Sequence, residues 1–249
     1  MMMNFTLSNQ VQIPAVGIGT FMMTPDQAEQ AVVDALACGY RMIDTAQAYM
    51  NERAVGRGIK RSGVAREDIF ISTKIWASQY LTEGTVEKSL ELLGTDYIDL
   101  MFIHQPAGDF MAGYRKLETV AIRPMVNQIE MHPYFAQESA LKVMEEYQIV
   151  PEAWAPLGGG RHNPFDNEMV KEIAAAHGKT VGQVVLRWNV QRGVVVIPKS
   201  VHKARIEENF QIWDFTLTEE EMQKNRSQDL AYQGTAVKHF DPEFVKKCN

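Results

Sequence analysis

Short apolar runs alternate with amphipathic segments along almost the whole chain, and this alternation limits the fold more than any other feature. Continuous apolar strands separated by helices indicate a parallel sheet that is covered on both faces. We therefore predict an α/β fold with strands at residues 15–19, 41–45, 69–74, 97–103, 125–130, 150–155 and 194–198.

The amphipathic segments between these strands predict the helices. Thr24 followed by Pro25 is typical of a helix start, and Gly39 marks the point where that helix ends. Thr218 opens a capping box that predicts a helix near the end of the chain. Residues 5–7 and 11–13 predict a hairpin ahead of the first parallel strand. Further helices are predicted at about 51–61, 83–93, 109–117, 137–147, 167–176 and 180–192.

A doubly wound sheet and a closed barrel both satisfy this pattern. The run from Gly17 to Met22 lacks the third glycine of a dinucleotide-binding fingerprint, which disfavours the doubly wound form. The length of 249 residues is close to that of one α/β barrel, which has ~250 residues. We predict a (β/α)8 barrel with an N-terminal hairpin, forming one domain over residues 1–249.

Composition and net charge indicate which binding partners and which cellular compartment to expect. The net charge is −6 with no basic run, so we expect no nucleic-acid binding. The only cysteines, Cys38 and Cys248, give no disulfide framework, which favours a reducing cytoplasm. The first residues do not resemble a signal peptide, and no apolar run approaches the ~20 residues that cross a membrane. We expect a cytoplasmic monomer.

Three polar residues stand at the same phase of successive repeats, each where a predicted strand meets the loop that follows it. Asp44, Lys74 and His104 are separated by intervals of 30 residues, close to one βα repeat of a barrel with ~31 residues per repeat. Residues at the same phase of successive repeats face one another at the C-terminal mouth, where barrel enzymes hold their chemistry. Each alone is more often structural, whereas the shared phase favours function. An Asp–Lys pair is expected in either case, because burying one charge alone is costly.

Tyr49 adds a source of protons to this group. It lies five residues beyond Asp44, in the loop that would pass over the same mouth. A free phenol has a pKa near ~10, and a neighbouring ammonium lowers it, so Lys74 would make Tyr49 a better acid. His104 would then orient a substrate oxygen that gains negative charge as hydride reaches carbon. His132 and His162 have no ligand-set spacing, and we expect no metal site.

Eight motifs in order along the chain resemble those of the aldo-keto reductase family. They stand at residues 17–21, 43–52, 72–76, 93–100, 103–106, 126–130, 154–158 and 197–209. The resemblance implies an eight-stranded barrel with NADPH or NADP+ lying extended across its mouth. It also implies reduction of carbonyl groups, with Tyr49 as the general acid, Asp44 and Lys74 tuning it, and His104 orienting the substrate. Trp76 would line the substrate site with Tyr49 and His104.

The resemblance also implies a set of cofactor contacts. Gln128 would hydrogen-bond the nicotinamide carboxamide and Trp154 would stack on the nicotinamide ring. Further contacts would come from Gly19, Thr20, Asp44 and Leu157.

Residues 199–209 resemble a pocket for the adenosine 2′-phosphate. Lys199, Ser200 and Arg205 would hold the phosphate, and Glu208 and Asn209 would contact adenine. An arginine fork and the start of a helix both suit a phosphate. A helix start bearing Lys and Arg is otherwise often only a solvated surface. The position directly after a buried strand favours the cofactor interpretation, and NADP(H) over NAD(H).

One part of the pattern departs from the family. After His104 a single predicted helix leads directly to the strand at 125–130, where the family has a further strand and helix bearing a Ser-Asn pair that binds the carboxamide. Roughly 25–30 residues, about one βα repeat, are missing. Either the protein lacks this repeat or the sequence omits it. Because a barrel without one strand exposes two unpaired edges, we favour omission.

Two functions remain open at this point. The first is an NADPH-dependent reductase of aldehydes and ketones, acting on small carbonyl compounds or keto sugars. Its motifs look like those of the bacterial group that includes 2,5-diketo-gluconate reductases and methylglyoxal reductases. Substrate choice would depend on the loops at the mouth and on the tail at 232–249. The second is a cofactor-binding or interaction protein with weak catalysis. The missing repeat favours it, and the intact set of Asp44, Tyr49, Lys74 and His104 (the tetrad) disfavours it.

Overall fold

The structure is a computed structural model that describes residues 3–118, 124–160 and 162–234. Its strands are β1 (Asn4–Thr6), β2 (Gln12–Pro14), β3 (Ile18–Gly19), β4 (Met42–Asp44), β5 (Phe70–Ile75), β6 (Leu100–Ile103), β7 (Val126–Glu130), β8 (Val150–Trp154) and β9 (Val195–Val196). Its helices are α1 (Pro25–Cys38), α2 (Glu52–Ser62), α3 (Thr85–Leu93), α4 (Phe110–Glu118), α5 (Glu138–Glu146), α6 (Glu168–His177), α7 (Val181–Gln191), α8 (Lys203–Phe210) and α9 (Glu219–Arg226).

The described residues form two compact units. One contains residues 18–118 and 200–203, and we call it the tetrad unit because it holds Asp44, Tyr49, Lys74 and His104. The other contains residues 3–17, 124–160, 162–199 and 204–234, and we call it the Gln128 unit.

The tetrad unit contains a four-stranded parallel sheet in the order β3-β4-β5-β6. Strands β4 and β5 are completely buried, which explains their apolar sequences. Helix α1 begins after Thr24 as expected, and the structure adds a capping box, in which Thr24 and Gln27 each accept a bond from the other's backbone N–H. It ends at Gly39, whose φ of 112° lies in the left-handed region that glycine adopts readily.

The Gln128 unit contains the antiparallel hairpin β1–β2 and a parallel sheet in the order β7-β8-β9. Helices α6, α7 and α9 bury an apolar cluster centred on Trp188, which is completely buried. The indole Nε1 of Trp188 donates to the carbonyl oxygen of Met222 at 3.1 Å, so its polar atom is satisfied inside this core. The capping box predicted at Thr218 opens α9.

The predicted hairpin, strands and helices are confirmed, with shifts at some boundaries. The largest are at the starts of the strands predicted at 15–19 and 97–103, which begin at Ile18 and Leu100. The carboxylate of Asp99 accepts a hydrogen bond from the backbone N–H of Ile71 at 2.9 Å and from Arg66 at 2.7 Å. This side chain therefore occupies a position where a backbone carbonyl would extend the ladder. No helix in the described part of the chain is long and apolar enough to cross a membrane.

The single-helix connection predicted after His104 is also found. Helix α4 is the one helix between β6 and β7 in the described residues, while residues 119–123 lie outside them. Strand β6 is the last strand of its sheet, and β7 is the first of the other. Each is therefore an edge strand within the described part of its sheet.

Candidate active site

Asp44 and Lys74 form a buried ion pair on adjacent parallel strands. The Nζ atom of Lys74 lies 2.5 Å from Oδ2 of Asp44 and donates a second hydrogen bond to the carbonyl oxygen of Thr45 at 2.8 Å. Both charged side chains are 2% exposed. Because two such charges are stable in a protein interior only when each is paired and hydrogen-bonded, their geometry is tightly fixed.

The second carboxylate oxygen of Asp44 is held by a residue that the sequence did not single out. Ser72 faces Asp44 in the register of β4 and β5, and its hydroxyl donates to Oδ1 of Asp44 at 2.8 Å. Ser72 is completely buried. The carboxylate is therefore held on one oxygen by an ammonium and on the other by a hydroxyl.

Three rings lie around this pair. Lys74 Nζ is 5.2 Å from the centroid of the Tyr49 ring. The rings of Tyr49 and His104 are 5.6 Å apart at an angle of 77°, and Trp76 meets His104 edge-on at 5.0 Å. Tyr49, His104 and Trp76 are all half-buried, so the group is open on one side. The structure thus brings together the predicted tetrad and Trp76.

Side-chain amides hold the loops that bear these residues. The Nδ2 atom of Asn51 donates to the carbonyl oxygens of Thr20 and Met23, and its Oδ1 accepts from the hydroxyl of Thr45 at 3.0 Å. Asn51 is 1% exposed and ties the loop after β3 to the loop after β4. Gln47 connects the loop after β4 to Trp76. The Oε1 atom of Gln47 accepts a hydrogen bond from the backbone N–H of Trp76 at 3.2 Å.

A buried carboxyl group lies next to the Lys74 strand. Glu52 is 2% exposed and accepts a hydrogen bond from the hydroxyl of Thr73 at 2.7 Å. Burial raises the pKa of Glu52 above its usual value, an effect that the hydrogen bonds from Thr73 and Ser89 partly offset. Because neighbouring residues on a strand point to opposite faces, Glu52 is anchored on the face of β5 away from Lys74.

The residues expected near the nicotinamide are found on neighbouring strands of the Gln128 unit. Gln128 lies on β7, and Trp154 ends β8; both are half-buried. The Nε2 atom of Gln128 donates to Oε1 of Glu152 at 2.5 Å. Leu157, in the loop after β8, packs against the apolar cluster of α6 and α7.

Gly19 and Thr20 lie at the end of β3 in the tetrad unit. Both are buried, and the hydroxyl of Thr20 donates to the carbonyl oxygen of Asp44 at 3.1 Å. The Thr20 side chain is thus engaged in holding the strand of Asp44, and its expected approach to a cofactor stays a prediction.

The segment expected to hold the 2′-phosphate leads into helix α8. Lys199 and Arg205 are exposed in the Gln128 unit. Ser200, in the tetrad unit, is buried, and its Oγ accepts from the backbone N–H of His202 at 3.1 Å. Glu208 accepts from the hydroxyl of Thr180 at 2.8 Å. The buried Asn209 lies one residue later on α8.

The sequence matches the model of the aldo/keto reductase family over residues 15–119 and 110–229. The chain belongs to the aldo/keto reductase family. It is 42% identical to the 9,11-endoperoxide prostaglandin H2 reductase of Trypanosoma cruzi, over 88% of this chain and 89% of that protein. It is 41% identical to the glyoxal reductase of Bacillus subtilis, over 88% of this chain and 90% of that protein.

Solved structures of family members share the fold. An aldo-keto reductase from a Medee basin deep-sea metagenome library has a TM-score of 0.89 at 37% identity, with 94% of this chain and 96% of that chain covered. The Bombyx mori aldo-keto reductase in complex with NADP has a TM-score of 0.86 at 29% identity, with 95% and 96% covered. These similarities confirm the fold class, an α/β fold of the (β/α)8 barrel type. The family is one of oxidoreductases that use NADP(H).

The comparisons also measure the missing repeat. The match to the Trypanosoma protein extends over 252 residues but uses 88% of this chain, and 88% of 249 residues is about 219. About 33 aligned positions therefore have no counterpart here, and the same arithmetic gives about 30 for the Bacillus protein. The two stretches matched by the family model overlap at residues 110–119, which include α4 and lie where the repeat was predicted to be missing.

Proposed function

We propose that this protein is an NADPH-dependent reductase of aldehydes and ketones. The observation that carries the proposal is the buried Asp44–Lys74 pair lying beneath the ring of Tyr49, with the His104 ring edge-on to it. A half-buried phenol beside a buried ammonium suits one task, which is to give a proton to an oxygen that is gaining negative charge.

Each residue of the group has a distinct part in this proposal. Tyr49 donates the proton to the substrate oxygen. Lys74 stabilises the phenolate that remains, and Asp44 keeps the lysine charged and oriented. His104 hydrogen-bonds the carbonyl oxygen, and Trp76 forms an apolar wall beside it. When it is bound, NADPH supplies the hydride that is added to the carbonyl carbon.

The residues available for the cofactor fit its chemical groups. Gln128 and Trp154 offer an amide and an indole from neighbouring strands, which suit a carboxamide and a flat ring. Lys199 and Arg205 are exposed near the start of α8 and suit a phosphate. We therefore propose NADP(H) over NAD(H), with Ser200 as a further phosphate contact, Glu208 and Asn209 at adenine, and Gly19, Thr20, Asp44 and Leu157 lining the remainder.

Relatives guide the choice of substrates to test. Besides the Bacillus glyoxal reductase, the chain is 37% identical to the methylglyoxal reductase DkgA of Yersinia pestis over 84% of its length. We propose small carbonyl compounds or keto sugars as substrates, with glyoxal, methylglyoxal and 2,5-diketo-gluconate as the first panel.

Tyr49→Phe tests the proposed proton donor, because it removes one hydroxyl and keeps the ring. We expect the wild type to consume NADPH with at least one member of the panel, and the variant to lose roughly 10²–10⁴-fold in kcat. The matched control is Tyr147→Phe, which removes an exposed phenol in the Gln128 unit and should leave kcat unchanged. Equal rates for Tyr49→Phe and the wild type would show that another group supplies the proton.

A second candidate function is favoured by the edge strands β6 and β7, because edges are surfaces for association. In that case the protein binds NADPH and forms complexes without useful turnover. One experiment distinguishes the two candidates. If the protein binds NADPH but oxidises it with no substrate of the panel, only the second candidate is supported.

We also propose that residues 1–249 fold as one domain that acts as a monomer in the cytoplasm. Solved relatives align over 92–96% of the chain, which supports one domain, and two cysteines distant in sequence suit a reducing compartment. A single thermal transition and the mass of a monomer in light scattering are the expected results.

A further inference from the structure

Gln128 and Glu152 form a closely matched pair across two parallel strands. They face each other in the register of β7 and β8, and Nε2 of Gln128 donates to Oε1 of Glu152 at 2.5 Å. Glu152 is completely buried, whereas Gln128 is half-buried. Because Glu152 hydrogen-bonds the side-chain amide of Gln128, it can determine which end of that amide, nitrogen or oxygen, points towards the protein interior.

We propose that Glu152 is a positioning residue that fixes the amide orientation of Gln128 for the nicotinamide carboxamide. This inference rests on the proposed function, in which Gln128 contacts that group. A carboxylate only accepts hydrogen bonds, so the nitrogen end of the Gln128 amide must face Glu152. The oxygen end is then the one that Gln128 presents on its other side, as an acceptor for a carboxamide N–H.

The strand geometry places this pair with the other residue expected at the nicotinamide. Side chains two positions apart on a strand share a face of the sheet, so Glu152 and Trp154 lie on one face of β8. In the same register, Gln128 pairs with Glu152 and Glu130 pairs with Trp154. The amide and the indole are therefore presented from the same side of neighbouring strands.

Glu152→Gln is the substitution that isolates this role. A glutamine has nearly the same size, but its amide can both donate and accept, so it no longer dictates which end of Gln128 faces inward. NADPH binding is measured by fluorescence titration, and binding of 2′-AMP, which lacks the nicotinamide, by calorimetry. We expect the dissociation constant of NADPH to rise about 10-fold, which corresponds to ~1.4 kcal/mol, and that of 2′-AMP to stay unchanged.

Glu52→Gln is the matched control, because it neutralises another buried glutamate in the other compact unit. It should leave both dissociation constants unchanged. A general loss of structure in Glu152→Gln would weaken both ligands together, so weakening of both, or of neither, overturns the inference.

A double-mutant cycle tests the route through Gln128. If Glu152 acts through the amide, Glu152→Gln should weaken NADPH binding little further in a Gln128→Leu background. Full additivity of the two substitutions overturns the inference. Gln128→Leu alone should weaken NADPH and not 2′-AMP, which tests the premise that Gln128 contacts the nicotinamide. A wild type that binds no NADPH contradicts the proposed function, whereas tight and equal binding by wild type and Glu152→Gln contradicts only this inference.

Discussion

The tetrad unit and the Gln128 unit differ in how firmly they hold their functional residues. In the tetrad unit, Asp44 has a partner on each carboxylate oxygen, and Asp44 and Lys74 are 2% exposed. In the Gln128 unit, Gln128 lies on an edge strand and is half-buried, while Lys199 and Arg205 are exposed. The Asp44–Lys74 pair is thus built into a buried network, whereas Gln128, Lys199 and Arg205, proposed for the cofactor, lie on an edge strand of the described sheet or near the start of α8.

This difference indicates a division of effects. A change in the tetrad unit should cost both catalysis and folding stability, because it breaks a buried network. A change at Lys199 or Arg205, the exposed residues proposed for the cofactor, should cost affinity for NADPH and little stability, because exposed side chains contribute little to folding. Substitutions in each unit can break or sharpen this contrast.

Lys74→Met should have the largest effect on both quantities. It leaves the carboxylate of Asp44 buried without its cation, which costs about 3–5 kcal/mol of unfolding free energy. It also removes the ammonium beside Tyr49, so we expect roughly a 10²–10⁴-fold loss in kcat. Denaturant unfolding and steady-state kinetics measure the two effects.

The matched control for that variant is Lys88→Met, which breaks an exposed pair with Glu91 in the same unit. It should change the unfolding free energy by less than about 1 kcal/mol. If Lys74→Met had the same unfolding free energy as Lys88→Met, the buried pair would not stabilise the tetrad unit, and the contrast with the Gln128 unit would be lost.

Arg205→Ala should weaken NADPH binding and leave stability nearly unchanged. Loss of a charged hydrogen bond to phosphate costs about 1.5–3 kcal/mol, so the dissociation constant of NADPH should rise about 10- to 100-fold. NADH lacks the 2′-phosphate and should bind as before. Lys224→Ala, on the exposed face of α9, is the control. Equal weakening of NADPH and NADH contradicts the phosphate assignment.

Ser72→Ala should lower both the unfolding free energy and kcat, but by less than Lys74→Met. It removes the hydroxyl from Oδ1 of Asp44, which costs about 1–3 kcal/mol because a buried acceptor loses its donor. We expect kcat to fall and its pH profile to shift, since Asp44 orients the lysine that tunes Tyr49. The exposed hydroxyl of Ser227 provides a control in Ser227→Ala. Lower stability with an unchanged pH profile would assign Ser72 to folding alone.

Glu52→Gln should produce the smallest change, visible as a function of pH. Burial raises the folded-state pKa of Glu52 above its value of 4.5 in the unfolded chain. The folded state therefore binds the proton more tightly, so this carboxyl group lowers the stability of the wild type as pH rises through 4.5 and up to the folded-state pKa. The variant should gain melting temperature relative to wild type at pH 7 and lose that gain below pH 4. A gain in melting temperature that does not depend on pH would contradict a raised folded-state pKa for Glu52.

Sequence phase was enough to predict that Asp44, Lys74 and His104 lie together, because each stands at or near the end of a strand at intervals of 30 residues. It could not find Ser72 or Glu152, since the role of each depends on which residue faces it across a parallel ladder. Register between strands is set by tertiary packing and cannot be read from either strand alone. The start of β6 was missed for a similar reason, because the side chain of Asp99 replaces a ladder partner.

The shortened connection between β6 and β7 was also read from the sequence, because one helix stands where the family has a further repeat. The comparisons agree with its position and its size. The tail expected to influence substrate choice lies mostly outside the described residues.

The most direct test of carbonyl reduction follows the transferred hydrogen itself. The protein is incubated with methylglyoxal, or with whichever substrate of the panel it consumes, and with NADPH carrying deuterium at the transferable C4 position. Mass spectrometry of the product should show an alcohol one mass unit heavier than that formed with ordinary NADPH, and Tyr49→Phe should form it far more slowly. An unlabelled alcohol, or no alcohol from any substrate of the panel while NADPH remains bound, would contradict the account.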